Sequence, residues 1–276
     1  MDQKIGLQLY SLKEIMNKDN FVEILQKIKA YGYEGVEGVE RDNDPDTVHL
    51  FCGKPASEVK KIVSDIGLEI VSNHVGLKDL KANFESIVEY HKELGCTSLI
   101  IANIPNVFFQ DRATVKNAIG DLIEVGEKLK GFGFSLALHN CPFTFVSPES
   151  YQLFDNELVS SLSLQPDAGN AMLAGVDPVE YFGRLDNRFV SLHVKDAKPA
   201  DPKDLPLNSG EPGKENDTIF EKFSRYSTPV GKGATDLRAF LQLGVEKGVE
   251  WFVIEEEMTE TPLQTVKEAI EYIKGL

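Results

Sequence analysis

Three cysteines, no long apolar run and too few basic residues mark this 276-residue sequence. Each shortage removes a class of function. Cys52, Cys96 and Cys141 are odd in number and far apart, so they form neither a disulfide framework nor a CxxC metal pair. A reducing cytoplasm suits such usage, and a cytoplasmic location is the expectation. The longest apolar runs, such as Leu99-Ile100-Ile101-Ala102, are strand-length and far below the roughly 20 residues of a spanning helix. The start, Met1-Asp2-Gln3-Lys4, lacks the charged, apolar and small-residue order of a signal peptide. Lys plus Arg number 29 against 44 Asp plus Glu, a formal charge of −15. That balance repels a phosphate backbone unless a basic patch intervenes, and the densest basic stretches are pairs such as Lys60-Lys61. Neither nucleic acid nor a membrane is an expected partner. No GxxxxGK(S/T) or GxGxxG occurs, so no nucleotide cofactor is indicated.

What the sequence does contain is one recurring phrase: a helical stretch, a glycine, then a short apolar strand. It appears at Tyr31-Gly32-Tyr33, Ile66-Gly67-Leu68, Leu94-Gly95-Cys96, Phe132-Gly133-Phe134 and Lys247-Gly248-Val249. Each glycine stands where a helix must stop, a position that favours the left-handed conformation. Nearly unbroken apolar strands suit a parallel sheet buried on both faces. The pattern predicts eight strands, near 4–10, 33–38, 68–74, 97–103, 134–140, 161–166, 189–194 and 251–255. Helices fall between most of them, with Phe21, Ile24, Leu25 and Ile28 on one face of the first. Further apolar faces carry Phe84, Ile87, Val88 and His91, and then Leu263, Val266, Ile270 and Ile273. Eight alternating strand–helix units predict an α/β fold, a single (β/α)8 TIM barrel. Dividing the length by a domain of about 150 residues suggests two domains, but a barrel of this kind needs roughly 250 residues by itself. No linker interrupts the units, so residues 1–276 are read as one barrel domain. A polar, Pro- and Gly-rich stretch at 198–217 lies inside the seventh unit, and a loop that long is usually functional or mobile.

A TIM barrel carries its chemistry at the C-terminal ends of its strands. The polar residues expected there are Gln8, Tyr10 and Ser11, then Glu37 and Glu40, Asn73 and His74, Asn103, and His139 and Asn140. The later strands add Asp167 and Asn170, His193, Lys195 and Asp196, and Glu255, Glu256 and Glu257. Three of the five histidines fall at strand ends. Asp167, His193 and Glu255 make a set suited to a divalent cation, since hard or borderline metals take carboxylate and imidazole donors. The same residues also read as a turn, Asp-Ala-Gly-Asn at 167–170, beside a solvated acidic end, and spacing alone does not choose.

At these residues the chain resembles the sugar phosphate isomerase/epimerase family with its xylose isomerase-like barrel. The resemblance runs through Ile5-Gly6-Leu7-Gln8-Leu9-Tyr10-Ser11-Leu12, His139-Asn140, Asp167-Ala168-Gly169-Asn170, Gly175-Val176-Asp177-Pro178 and His193-Val194-Lys195-Asp196. It ends in Pro229-Val230-Gly231-Lys232-Gly233 and Trp251-Phe252-Val253-Ile254-Glu255. It implies one divalent metal held by a Glu after strand 5, an Asp after strand 6, a His after strand 7 and a Glu on strand 8. The last three map onto Asp167, His193 and Glu255. Relatives include ketose epimerases, inosose dehydratase-like enzymes and keto-glycoside hydratases or lyases.

The departures from this pattern are local. The family's metal Glu falls on Thr144, its second His on Cys141, and the Glu of its Pro-Val-Gly-Glu-Gly on Lys232. Thr is a poor metal ligand, which leaves His139 or water for the fourth position. Two functions stay open. One is a sugar or polyol isomerase, epimerase or dehydratase that moves a proton next to a carbonyl, with Asp167, His193 and Glu255 on a Mn, Zn, Mg or Co ion. In it His74, His139 and Lys195 are the catalytic candidates, and Gln8, Tyr10, Asn103, Asn140, Asp196 and Lys232 the substrate contacts. The other is a metal-poor barrel, catalytically altered with Lys195 or Lys232 taking a role, or inactive, that binds a carbohydrate. The expected partner is a small sugar or polyol, and a homodimer is among the open oligomeric states.

Overall fold

The computed structural model describes residues 2–40, 50–102, 112–145, 162–186, 188–201, 225–257 and 259–276. Its parallel strands are β1 Lys4–Gln8, β2 Gly35–Val39, β3 Glu69–Val75, β4 Ser98–Ile101, β5 Ser135–His139, β6 Ser163–Gln165, β7 Leu192–Val194 and β10 Trp251–Ile254. They are ordered β6-β5-β4-β3-β2-β1-β10-β7. Single bridges, Leu164 to Phe189 and Asp167 to His193, join the two edges, so the sheet is a nearly closed barrel. A short antiparallel pair, β8 Asp196–Ala197 with β9 Ser227–Thr228, follows β7.

Helices cover the barrel: α1 Phe21–Tyr31, α2 Ala56–Ile66, α3 Leu77–Ala82, α4 Phe84–Leu94, α5 Arg112–Lys130, α6 Ala168–Leu173, α7 Pro178–Gly183, α8 Leu237–Glu246 and α9 Pro262–Lys274. The apolar faces read from the sequence of α1 and α4 are the buried ones, His91 included. His91 is a packing residue: its Nδ1–H meets the Ile87 carbonyl at 2.7 Å, and its Nε2 takes the Asn73 amide at 2.8 Å. The five glycines of the recurring phrase all have φ between 72° and 102°. At Gly32 the N–H closes α1 onto Ile28 and Lys29, a bond that needs the left-handed turn.

Most strands are shorter than the sequence pattern suggests, β6 and β7 by half, and two of these ends bear on the site. β1 stops at Gln8 because Leu9–Leu12 tighten into a 3-10 turn, whose Tyr10 N–H is taken by the Gln8 side chain. β4 ends at Ile101, and Asn103 lies outside the described residues. Most of the 198–217 stretch lies outside them too.

Alternation along the strands decides which residues look inward. It puts Gly6 and Gln8, Gly35 and Glu37, and Trp251, Val253 and Glu255 on one face. Between β2 and β3 the register slips at Val36/Glu37, so that Ser72 and His74 come opposite Glu37 and Val39. The lower layer is therefore small residues around a ring. A Cβ on Gly35 would lie 2.7 Å from both Trp251 and Val71. The upper layer is polar.

Overpacking a filled layer costs about 1–3 kcal/mol. Gly35→Ala is expected to lower the urea midpoint correspondingly and to shift the native emission of Trp251, the sole tryptophan. An unchanged midpoint and spectrum would show that the layer is looser than described.

Candidate active site

The upper layer brings the strand-end residues together. Asp167 follows β6 and caps α6 with one oxygen: Oδ1 accepts the Asn170 N–H at 2.6 Å. Its other oxygen, Oδ2, is left for the barrel axis, 3.3 Å from His139 Nε2 and 3.6 Å from His193 Nδ1. His193 Nδ1 also lies 3.1 Å from Glu255 Oε2. The bridge to Asp167, with His193 N–H on the Pro166 carbonyl, carries the β6–β7 pairing up to this point. Donor atoms of His139, Asp167, His193 and Glu255 all lie within 4.8 Å of one another, and all four residues are buried.

These separations suit a cation. Ligands roughly 2.1 Å from a tetrahedral zinc stand about 3.4 Å apart, close to the observed spacings. The donor set, two imidazoles and two carboxylates, is one that zinc and its neighbours accept. His139 is oriented for the task, because its Nδ1–H meets the Ala102 carbonyl at 3.0 Å and turns Nε2 toward the cluster. It completes the four-donor cluster without Thr144, the position that matches the family's Glu. Thr144 is buried on the 3-10 turn Pro142–Phe145, with its hydroxyl 3.7 Å from Cys141 Sγ.

The charges are strongly coupled. Burial pushes His139 below its ordinary range, against the upward pull of Asp167, and keeps the ring neutral. Burial opposes the charge on His193 as well, but Glu37, Asp167 and Glu255 outweigh it and hold the imidazole well above its ordinary range. Burial would raise both carboxyls, yet the His139 and His193 bonds bring Asp167 down to about 2. Lys195 and His193 hold Glu255 well below the usual range. The Lys195 ammonium is buried against Glu257 at 2.9 Å and Glu255 at 3.5 Å, and their charge keeps it protonated despite burial. It reaches them because Gly169 has no side chain: a Cβ there would lie 2.7 Å from Lys195 Cγ. Glu256 turns away onto the Val230 N–H, and burial lifts its carboxyl to about 8.

Three residues expected to touch substrate are occupied otherwise. Asn140 is fully buried, taking the Asp167 N–H at 2.7 Å and donating to its carbonyl at 3.0 Å, which makes it a clamp on Asp167. Asp196 accepts N–H groups from Ala197, Gly231, Gly233 and Thr235, so its carboxylate holds the loop after β9. Gln8 is fully buried and bonded to Glu37. Sequence position showed which face these side chains take but not how deep they lie. Tyr10 is buried beside Lys13, which donates to its hydroxyl at 2.7 Å, and Lys232 is exposed on the turn after Pro229. His74 lies beside the cluster, its ring 5.1 Å from that of His193 and 5.3 Å from that of His139. Glu37, named in the sequence only as one strand-end carboxylate, proves to face five side chains: Gln8, Ser72, His74, Gln165 and His193.

Solved structures share this architecture. A sugar phosphate isomerase/epimerase from Parabacteroides distasonis is 19% identical, with a TM-score of 0.76 over 99% of this chain and 94% of its own. A probable 3-DHS dehydratase involved in petrobactin synthesis, from Bacillus anthracis, is 15% identical, with a TM-score of 0.71 over 98% of each chain. The IOLI protein, solved with a bound zinc atom, is 16% identical, with a TM-score of 0.68 over 98% of this chain and 97% of its own. Such identities speak for the fold. No curated protein matches the sequence. Residues 25–276 match the family of the xylose isomerase-like TIM barrel, and to that family the chain belongs.

Proposed function

We propose that this barrel is an enzyme of sugar or polyol chemistry that moves a proton next to a carbonyl, as an isomerase, epimerase or dehydratase assisted by a divalent cation. The observation that carries this reading is the convergence of four buried donors, His139, Asp167, His193 and Glu255, at one point of the barrel mouth. These residues would hold a Mn, Zn, Mg or Co ion. Such an ion supplies Lewis-acid stabilisation of the negative charge that develops as a C–H bond next to a carbonyl breaks. The solved relatives named as isomerase/epimerase and dehydratase, and the zinc in the IOLI protein, support the same chemistry.

The chain's own residues do the rest. His74 is held at Nε2 by Glu37 and Gln165, so Nδ1 is the ring atom that takes or returns the substrate proton. Lys195 binds a substrate oxygen as a point charge. His139 passes from catalytic candidate to ligand, because both of its nitrogens are oriented by other groups. Tyr10 and Lys232 belong to the substrate side of the site, with Asn103 the corresponding position outside the described residues. The substrate is a small sugar or polyol, and the working assembly is a monomer or homodimer in the cytoplasm. Among the described residues no helix is long and apolar enough to cross a membrane.

One observation favours a second reading, a carbohydrate-binding barrel without catalysis. Lys195 already stands between Glu255 and Glu257 and offsets their charge from within the chain. Cation binding separates the two. Protein purified without chelator should carry close to one divalent ion per chain. Added Mn or Zn at 100 times its Kd should stabilise it by about 2.7 kcal/mol. Joint substitution Asp167→Ala and His193→Ala should abolish that shift; a shift that survives would mean other ligands, and none in the parent chain would leave the binding barrel. Lys195→Met is expected to destabilise the unloaded protein by about 3–5 kcal/mol, the usual cost of stranding buried charges. It should also enlarge the cation-induced shift, whereas an unaltered shift would show that Lys195 does not compete for the same carboxylates.

A further inference from the structure

Glu37 takes no part in the four-donor cluster, yet it is wholly buried beneath it. Its Oε1 accepts from Gln8 Nε2 at 2.7 Å and faces His193 Nε2 at 2.6 Å and His74 Nε2 at 2.9 Å. Its Oε2 accepts from Gln165 Nε2 at 2.7 Å and from the Ser72 hydroxyl. Five donors thus converge on one carboxylate, which offers about four lone-pair directions. Facing histidines and their bonds hold it ionised well below the usual carboxylate range, against the upward push of burial.

Two roles fit a Glu beside two histidines. Glu37, His74 and His193 bring donor atoms within 4.8 Å of one another, the spacing of a second cation site. The bonds argue against it. Gln8 cannot turn its amide away, because its Oε1 is fixed on the Tyr10 N–H at 3.1 Å. Gln165 is fixed likewise, with Oε1 2.8 Å from His74 Nε2. Both amides must therefore point N–H at Glu37, and both imidazoles meet its Oε1 at hydrogen-bond length. Every lone pair a second cation would need is already taken.

We infer that Glu37 is a positioning residue: it accepts the Nε2–H of His193 and so presents Nδ1, not Nε2, to Asp167, Glu255 and a bound cation. The claim rests on the metal-assisted reading above. A ligating histidine commonly gives its second N–H to a carboxylate, which fixes both the tautomer and the ring plane, and loss of that partner costs about 10–100-fold in metal affinity. Here the carboxylate comes from β2, three strands along the sheet from β7, which carries His193.

The test uses the full chain, zinc ion and histidine 15N spectra. Zinc-loaded wild type should bind one zinc, with His193 protonated at Nε2 and metal-bound at Nδ1. Glu37→Gln is nearly isosteric, but it removes the negative charge that faces His193 and turns an N–H donor toward the donors that the carboxylate accepted. It should stay folded by circular dichroism while zinc affinity falls about 10–100-fold. If that variant does not fold, the wild-type spectrum alone still decides. Zinc on Nε2, a second zinc that disappears in Glu37→Gln, or unchanged affinity in the folded variant would overturn the inference and leave the metal reading standing. A wild-type chain that binds no zinc would overturn the metal reading, and this inference with it.

Discussion

The imidazole of His193 is held at both ends, with Glu37 on one nitrogen and Asp167 and Glu255 around the other. Nearly everything else in the barrel mouth is arranged around that ring. Its strand, β7, must meet β6 through the Asp167 bridge to bring the ring to the axis. On the opposite wall, the register slip between β2 and β3 brings Ser72 and His74 onto the Glu37 side. Were β2 shifted by one residue, every side chain would reverse its face and Glu37 would leave the barrel interior. Burial makes the arrangement exacting, because an unpaired charge in this place would be expensive. The carboxylates therefore come with built-in partners.

This explains how an acidic site survives in the core. Asp167 divides its two oxygens between the cap of α6 and the cluster, and Asn140 clamps its backbone on both sides. Lys195 balances Glu255 and Glu257, and the bare face of Gly169 gives it room. Asp196, next along the chain, holds the loop from Gly231 to Thr235 by its backbone N–H groups, which fixes the wall beside the cluster. The net charge of −15 has a local meaning, with Asp167 and Glu255–Glu257 at the mouth and Glu37 buried below them, although most of the acidic excess lies elsewhere in the chain.

The fold was largely legible. Glycines after helices mark real left-handed stops, and the apolar runs are the barrel strands. The errors were at strand ends, where Leu9 and Tyr10 look like more strand but enter a 3-10 turn. The convergence of His74, His139, Asp167, His193 and Glu255 was legible, because all five stand at strand ends. Their division of labour was not. Polar residues near a strand end look alike in a sequence, whether they reach the mouth or sit a layer below it. Gln8 and Asn140 proved to be internal clamps, and His139 stands where a metal ligand would, because depth and hydrogen-bond partners come from strands far apart in sequence. Glu37 and His193 are 156 residues apart, and nothing local announces that they meet.

Anomalous diffraction from crystals soaked in zinc or manganese is the most direct test of a cation centre built on this oriented imidazole. The account predicts one strong peak per chain, bounded by His139 Nε2, Asp167 Oδ2, His193 Nδ1 and Glu255 Oε2. A peak on Thr144 or Cys141, a peak between Glu37 and His74, or no peak in a soaked crystal would contradict it.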